Sequence, residues 1–402
     1  MKMVKNEKLV NIAKISAGQG APQGETCYCI DGLPFIKAGN LEDLLISNDE
    51  YKSCQLVNEE IVKKYKLKLF PKDTIVFAKS GMSAKIGRIH LLTTDAYIVN
   101  HLAAITPKFE FVIPKYLKYF FNVSPPSRLI KDDSYPSIGL ADIEKISTPL
   151  PPLEDQKRIV KILDTADALR QKRKLAITLL DDYIKSFFLD MFGDPVSNPK
   201  GWETKTIEYL VKKEKHSIKR GPFGGSLKKE IFVDHGYLVY EQYHALNNDF
   251  SMARYFINEE KFQELKAFEV KAADIIISCS GVYLGKLAIV PKSCKKGIIN
   301  QALLKLTLDQ SKMNNLFFVS VFSNKNFGNK YFGNKIGSGI PNFPPISEFK
   351  KFKFISPPLE LQKKYADIVQ KSETLKQSML LQSAELDSQF QFLMQKFFHD
   401  EL

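Results

Sequence analysis

Few residues in this chain have the type and spacing for covalent chemistry. Gly281-Val282-Tyr283-Leu284-Gly285-Lys286-Leu287 imitates a phosphate-binding loop, but three residues separate the glycines where four are needed. Leucine also stands where a Ser/Thr would hold magnesium, so a turn beside a strand is the simpler reading. Asp194-Pro195 with Glu203-Thr204-Lys205 hints at a metal-dependent nuclease, and a solvated interdomain turn explains the same residues. The histidines (His90, His101, His216, His235, His244, His399) lack ligand spacing, and Cys27-Tyr28-Cys29 has no second pair, which argues against zinc. There is no Asn/Asp-Pro-Pro-aromatic motif of amino-methyltransferases and no glycine fingerprint for S-adenosylmethionine.

Residues suited to nucleic acid are easier to find. Phosphate contact asks for Lys/Arg and free N–H donors; base reading asks for Arg, Lys, Asn, Gln or Ser at a loop tip. Phe327-Gly328-Asn329-Lys330 recurs as Phe332-Gly333-Asn334-Lys335, followed by Gly337-Ser338-Gly339. This reads as a flexible, basic surface segment offering Asn329, Lys330, Asn334 and Lys335 to DNA, with an ordinary solvated loop as the plain alternative. Lys219-Arg220 before Gly221 is a second candidate. Lys79 and Ser80, with Lys85 and Arg88, occupy a loop that matches the one carrying Ser280 and Tyr283.

The elements that must position these residues follow from length and charge. The chain has 402 residues with 44% hydrophobic content, enough for two or three domains with their own cores. No apolar run approaches the ~18–20 residues that span a bilayer. The basic start lacks the apolar stretch of a secretory signal. The five cysteines are too few and irregular for a disulfide framework, so a reducing cytoplasm is expected and no membrane. Lys+Arg number 58 and Asp+Glu 45, giving +13. Segment 195–354 has 25 basic and 14 acidic residues and segment 1–148 has 20 and 16, whereas 149–194 has 8 of each and 355–402 has 5 and 7. A neutral scaffold joined to basic domains suggests domains that meet a polyanion. Solubility alone is the plain alternative.

The chain is a duplication. Pro151-Pro152-Leu153-Glu154 followed by Gln156-Lys157 recurs 206 residues later as Pro357-Pro358-Leu359-Glu360 followed by Gln362-Lys363. That offset holds to the end of the chain, placing Ile162 on Ile368, Leu169 on Leu375 and Leu180-Asp181 on Leu386-Asp387. The basic blocks repeat more weakly: Ile75-Val76, Ser80-Gly81 and Gly87-Arg88-Ile89 resemble Ile276-Ile277, Ser280-Gly281 and Gly285-Lys286-Leu287, and Asn100 answers Asn300.

Segments 154–192 and 360–398 read as long helices, each ~55–60 Å at 1.5 Å per residue. Ile159, Ile162, Leu169, Leu180 and Phe187, with Ile368, Leu375, Leu386 and Leu393 in the second copy, follow a heptad seam that needs a partner helix. The simplest partner is the other copy. The basic blocks look mixed, with strands at Thr74–Ala78, Ile275–Ser278 and Leu287–Val290 and short helices at Pro114–Phe121 and Asn314–Phe322. Trp202 reads as core without a counterpart in the first block.

This arrangement resembles the DNA-specificity (S) subunit of bacterial and archaeal type I restriction–modification systems, which serve in phage defence. The resemblance rests on the run at 149–159 before a long helix, its second copy at 355–365, and Gly221-Pro222-Phe223-Gly224-Gly225-Ser226-Leu227 in the second block. It implies an α/β (mixed α+β) chain with a pseudo-twofold internal repeat. Target recognition domains at 1–148 and 195–354 alternate with spacer helices at 149–194 and 355–402, the helices packing as an antiparallel coiled coil. It further implies a non-catalytic reader of a split, asymmetric site on double-stranded DNA. Methyltransferase (M) and restriction (R) subunits are the expected partners, and S-adenosylmethionine, ATP and magnesium are expected on those partners, with none bound by this chain. The rival readings are a self-contained metal-dependent nuclease and a coiled-coil scaffold that binds only protein.

Overall fold

The computed structural model describes residues 5–24, 27–333 and 342–398. It divides into two compact units, residues 1–175 with 380–402 and residues 176–379.

In the first unit, eight strands form two four-stranded sheets: β1 (Ala13–Ala17), β2 (Leu33–Ile36), β3 (Gln55–Val57), β4 (Leu69–Phe70), β5 (Ile75–Ala78), β6 (Ile89–Leu91), β7 (Ala96–Ile98) and β8 (Leu102–Pro107). Their orders are β1-β8-β5-β6, antiparallel throughout, and β3-β2-β7-β4, in which β2 and β7 run parallel. Ile75-Val76-Phe77-Ala78 is apolar and buried at every position, as a strand covered on both faces must be. Helix α1 (Pro114–Val123) starts on a proline whose missing N–H costs nothing there, and it buries Tyr116, Leu117 and Phe121.

The second unit repeats this plan strand for strand. Its strands are β9 (Ile218–Arg220), β10 (Tyr237–Tyr240), β11 (Phe256–Ile257), β12 (Glu269–Val270), β13 (Ile275–Ser278), β14 (Leu287–Ile289), β15 (Gly297–Ile299) and β16 (Leu303–Leu306). The orders β9-β16-β13-β14 and β11-β10-β15-β12 match those of the first unit. The duplication visible at the helices therefore extends to the whole chain. Registers correct one detail: the Val99 N–H bonds to the Ile36 carbonyl as the Asn300 N–H bonds to that of Tyr240. Asn300 thus answers Val99, and Gln301 answers Asn100. Likewise Ile275 answers Ile75, because both open strands that pair with the equivalent neighbours. Helix α2 (Asn315–Phe322) is the counterpart of α1, and α3 (Lys325–Phe332) follows it.

Each globular block is closed by a two-stranded ribbon before a long helix begins, Asn6–Lys8 with Ser147–Pro149 and Thr204–Thr206 with Lys353–Ile355. The long helices run Leu153–Phe192 and Leu359–Phe398, 40 residues each. In the first unit Ile159 and Leu163 share a buried cluster with Phe390, Met394 and Phe398, and the Tyr116 and Phe398 rings lie 5.1 Å apart. In the second, Phe188 and Phe192 pack on Tyr365 and on Phe317 of α2. Early residues of one helix meet late residues of the other, so the pair is antiparallel.

The seam differs from the expected one at its middle. Ile159 is buried, and Ile162, Leu180, Phe187, Ile368, Leu386 and Leu393 are half-buried, but Leu169 and Leu375 are 51% and 49% exposed. The inward positions are the next residues, Arg170 and Lys376. Their apolar stems lie in the seam while their charged heads reach a partner at its edge. Trp202 packs against the core of the second unit, as expected, at its edge. It is half-buried, and its indole N–H donates to the Phe192 carbonyl at 3.0 Å, satisfying an orphan carbonyl at the helix C-terminus.

Candidate nucleic-acid interface

In the first unit, the end of β5 and the starts of β6 and β8 lie at one edge of the same sheet. That edge carries Lys79, Ser80 and Arg88, with Lys85 on the short helix Met82–Ile86 that follows Ser80. The structure therefore brings all four expected residues of this block to one tip. Ser80 Oγ lies 2.8 Å from His101 Nδ1, a partner the sequence reading passed over because a lone histidine has no motif around it. A bridge between Ser80 and Ser137, with the Gly81 N–H donating to the Pro136 carbonyl at 2.9 Å, ties the tip to the segment before Ile138. Lys85 pairs with Asp133 at 2.8 Å and Arg88 with Glu42 at 2.7 Å. Such partly exposed pairs are worth ~0–1 kcal/mol each, so phosphates can replace these carboxylates at little cost.

The second unit builds the same edge from different side chains. Ser280 follows β13 and bridges to Asn342, as Ser80 does to Ser137. Arg220, at the end of β9, donates to Asn342 Oδ1 at 2.7 Å. Gln242 donates to Ser278 Oγ at 2.6 Å and to the Ser280 carbonyl at 2.7 Å. Tyr283 is exposed in the turn between β13 and β14. Gln242 and Asn342 were missed because neither lies in a repeated or charged motif. Burial pushes the Cys279 thiol, inside this edge, up to about 12, which leaves it a packed thiol without nucleophilic character.

Other expected residues lie elsewhere. Lys219 points to the opposite face of β9 from Arg220, with its ammonium 4.8 Å from the centre of the Phe268 ring. Asn329 and Lys330 are exposed, but on helix α3, which Asn324 caps and Phe327 anchors in the core. Lys325–Phe332 is helical rather than a loop, because the apolar Phe327 and Tyr331 fall four apart on the face turned to Phe354 and Phe352. Asn334 and Lys335 lie outside the described residues.

A family model for the type I restriction modification DNA specificity domain matches residues 1–179 and 199–383. The chain belongs to this family. Among specificity-family relatives, the type I restriction enzyme MjaIX specificity subunit of Methanocaldococcus jannaschii is 22% identical over 387 residues, covering 90% of this chain and 85% of its own. The StySPI specificity subunit of Salmonella potsdam is 26% identical over 165 residues, 39% of this chain and 34% of its own. The fold is similar to that of the S subunit of a type I restriction–modification system from M. genitalium, with TM-score 0.57 at 13% identity over 99% of this chain and 96% of that one. A chain from a study of complex assembly and conformational transition of the type I system gives TM-score 0.62 at 14% identity, covering 100% and 99%.

The most specific stretch of this specificity-family sequence has a structural role. Gln156 is buried; its Oε1 accepts from the Ile113 N–H at 2.9 Å, and its Nε2 donates to the Phe111 and Pro151 carbonyls at 3.0 and 2.8 Å. Gln362 repeats this, accepting from the Asn314 N–H at 2.9 Å and donating to the Lys312 and Pro357 carbonyls at 3.4 and 2.8 Å. Each glutamine locks a globular block onto the long helix it precedes.

The residues that suggested catalysis are occupied otherwise. Asp194 accepts from the Val196 and Ser197 N–H groups and from Asn326, and these donors outweigh burial to hold its carboxyl below the usual range. Glu203 and Lys205 pair with each other. Gly281–Leu287 is the hairpin between β13 and β14, closed by the Gly285 N–H on the Ser278 carbonyl. Among the described residues no group of three His, Cys, Asp or Glu side chains converges to hold a metal. No helix among them is long and apolar enough to cross a membrane.

Proposed function

We propose that this chain is the reader of a type I restriction–modification complex, each globular block reading one half of a split, asymmetric DNA site. The observation that carries the reading is that two blocks with one strand plan end in equivalent tips bearing different side chains. Around the equivalent serines Ser80 and Ser280, Lys79 and His101 stand at one tip, and Arg220 and Gln242 stand at the other. Like frames direct like approaches to the duplex, and unlike side chains select unlike bases. The antiparallel helices hold the separation of the half-sites. Their outward leucines, Leu169, Leu175 and Leu179 on the first and Leu375 and Leu381 on the second, support docking of M subunits, and R subunits join that assembly.

Methyl transfer and cleavage then belong to partners, which bring S-adenosylmethionine, ATP and magnesium. The test is reconstitution. The purified chain alone is expected to bind DNA but to leave it unmethylated and uncut, and adding the M subunit is expected to give site-specific adenine methylation. Methylation or cleavage by the pure chain contradicts the proposal, and so does methylation without site preference by the reconstituted complex.

A further inference from the structure

We propose that Met82 and Val282 are base-contacting residues, one in each half-site, and that they read by apolar contact. The inference rests on the reader function proposed above and names residues that no polar or basic motif indicates. Met82 and Val282 occupy one place in the duplicated plan. Each follows a glycine in left-handed backbone, Gly81 at φ 72° and Gly281 at φ 76°, at the end of the equivalent strands β5 and β13. An added Cβ on either glycine would meet nothing within 4 Å, so the positive φ serves the chain's direction and does not relieve crowding. That turn sends the next side chain outward, and Met82 is 67% and Val282 86% exposed.

The tips are also anchored. The Ile138 N–H donates to the Lys79 carbonyl at 2.8 Å and the Phe343 N–H to the Cys279 carbonyl at 2.9 Å, equivalent bonds on equivalent residues. A single exposed apolar side chain is unremarked on any surface. Here it recurs at the same glycine turn of both blocks, on an anchored loop, beside donors and acceptors suited to base edges. Lys79 and Ser80 precede Met82 in the chain, Ser280 and Tyr283 flank Val282, and Arg220 shares Asn342 with Ser280. Base edges and thymine methyl groups are the apolar partners that a duplex presents next to such donors.

The experiment uses the assembled complex of this chain with its M subunit, carrying Met82→Ser or Val282→Ser. Binding to the methylated-site duplex and to a scrambled duplex is measured over a salt series, and methylated sites are sequenced. Both positions are exposed, so thermal midpoints should match wild type. Each variant should bind its site about fivefold to tenfold more weakly. Binding to scrambled DNA and the salt slope should stay unchanged, and preference should relax in one half-site only, a different half for each variant. Unchanged affinity and motif in both variants overturns the inference, as does equal weakening on scrambled DNA or a loss that tracks M-subunit assembly. If the wild-type complex itself fails to distinguish its site from scrambled DNA, the reader function fails first and the inference with it.

Discussion

Arg170 of the first long helix donates from Nε to Asp387 Oδ1 of the second at 2.6 Å. The offset of 206 residues turns this pair into its own repeat: Arg170 corresponds to Lys376 and Asp181 to Asp387, and Lys376 donates to Asp181 Oδ1 at 2.6 Å in the other unit. Each helix therefore gives a cation to the other helix's acid, the reciprocal pattern of a twofold interface made within one chain.

The two pairs differ in strength. Arg170 is held from three sides, by Asp387, by Asp167 at 2.8 Å and by the Phe390 ring 4.3 Å from its guanidinium carbon. Arg170→Ala is expected to lower stability by about 1–2 kcal/mol and Lys376→Ala by about 0.5 kcal/mol. Urea midpoints of the full chain measure both; equal losses would show that the ring and the second carboxylate contribute nothing.

Gln156→Ala and Gln362→Ala each remove the side-chain partner of a part-buried N–H and of a buried proline carbonyl. A cost of about 2–4 kcal/mol is expected for either, against less than about 0.5 kcal/mol for the exposed neighbours Lys157→Ala and Lys363→Ala. Hydrogen exchange at Ile113 and Asn314 provides a local readout, with protection lost at the site of each glutamine substitution.

Glu50 makes the first block acid-sensitive. Burial acts to raise its carboxyl, but bonds from His90 and from the Thr93 hydroxyl and N–H prevail and hold it at about 2. A depressed carboxyl stabilises the fold above its unfolded value, near 4.5, and that contribution disappears as pH falls through its folded value. Between pH 4.5 and 2 the wild type should therefore lose about 3 kcal/mol more than Glu50→Gln, which starts lower and titrates more weakly there. Parallel pH profiles for the two proteins would contradict this.

Lys85→Ala and Arg88→Ala, whose carboxylate partners a phosphate can replace, should weaken binding to all duplexes alike and reduce the slope of log K against log salt by about one unit each. A change in the preferred sequence with an unchanged slope would reassign these residues from phosphate to base contact.

The duplication, the two long helices and the tips at Ser80 and Ser280 were legible because each leaves a pattern in the chain: an ungapped offset, a heptad and a repeated Ser-Gly. The seam was misread at Leu169 and Leu375 because residue type favours leucine. The helix instead turns Arg170 and Lys376 inward, where long stems pack and charged heads find Asp387 and Asp181. Asn329 and Lys330 were read as loop from their neighbouring glycines, whereas Phe327 and Tyr331 supply enough buried contact to keep Gly328 helical. Gln242 and Asn342 left no signal at all. Their importance comes from bonds to Ser278, Ser280 and Arg220, which only the folded chain assembles.

Genome-wide sequencing of methylated adenines reports most directly on the claim of two unlike readers at a set separation. Cells would carry the complete system with either the wild-type chain or one whose residues 1–148 are replaced by another reader's block. The account predicts a split motif whose one half changes on replacement while the other half and the gap between them persist. A single uninterrupted motif, or replacement that alters both halves together, would contradict it.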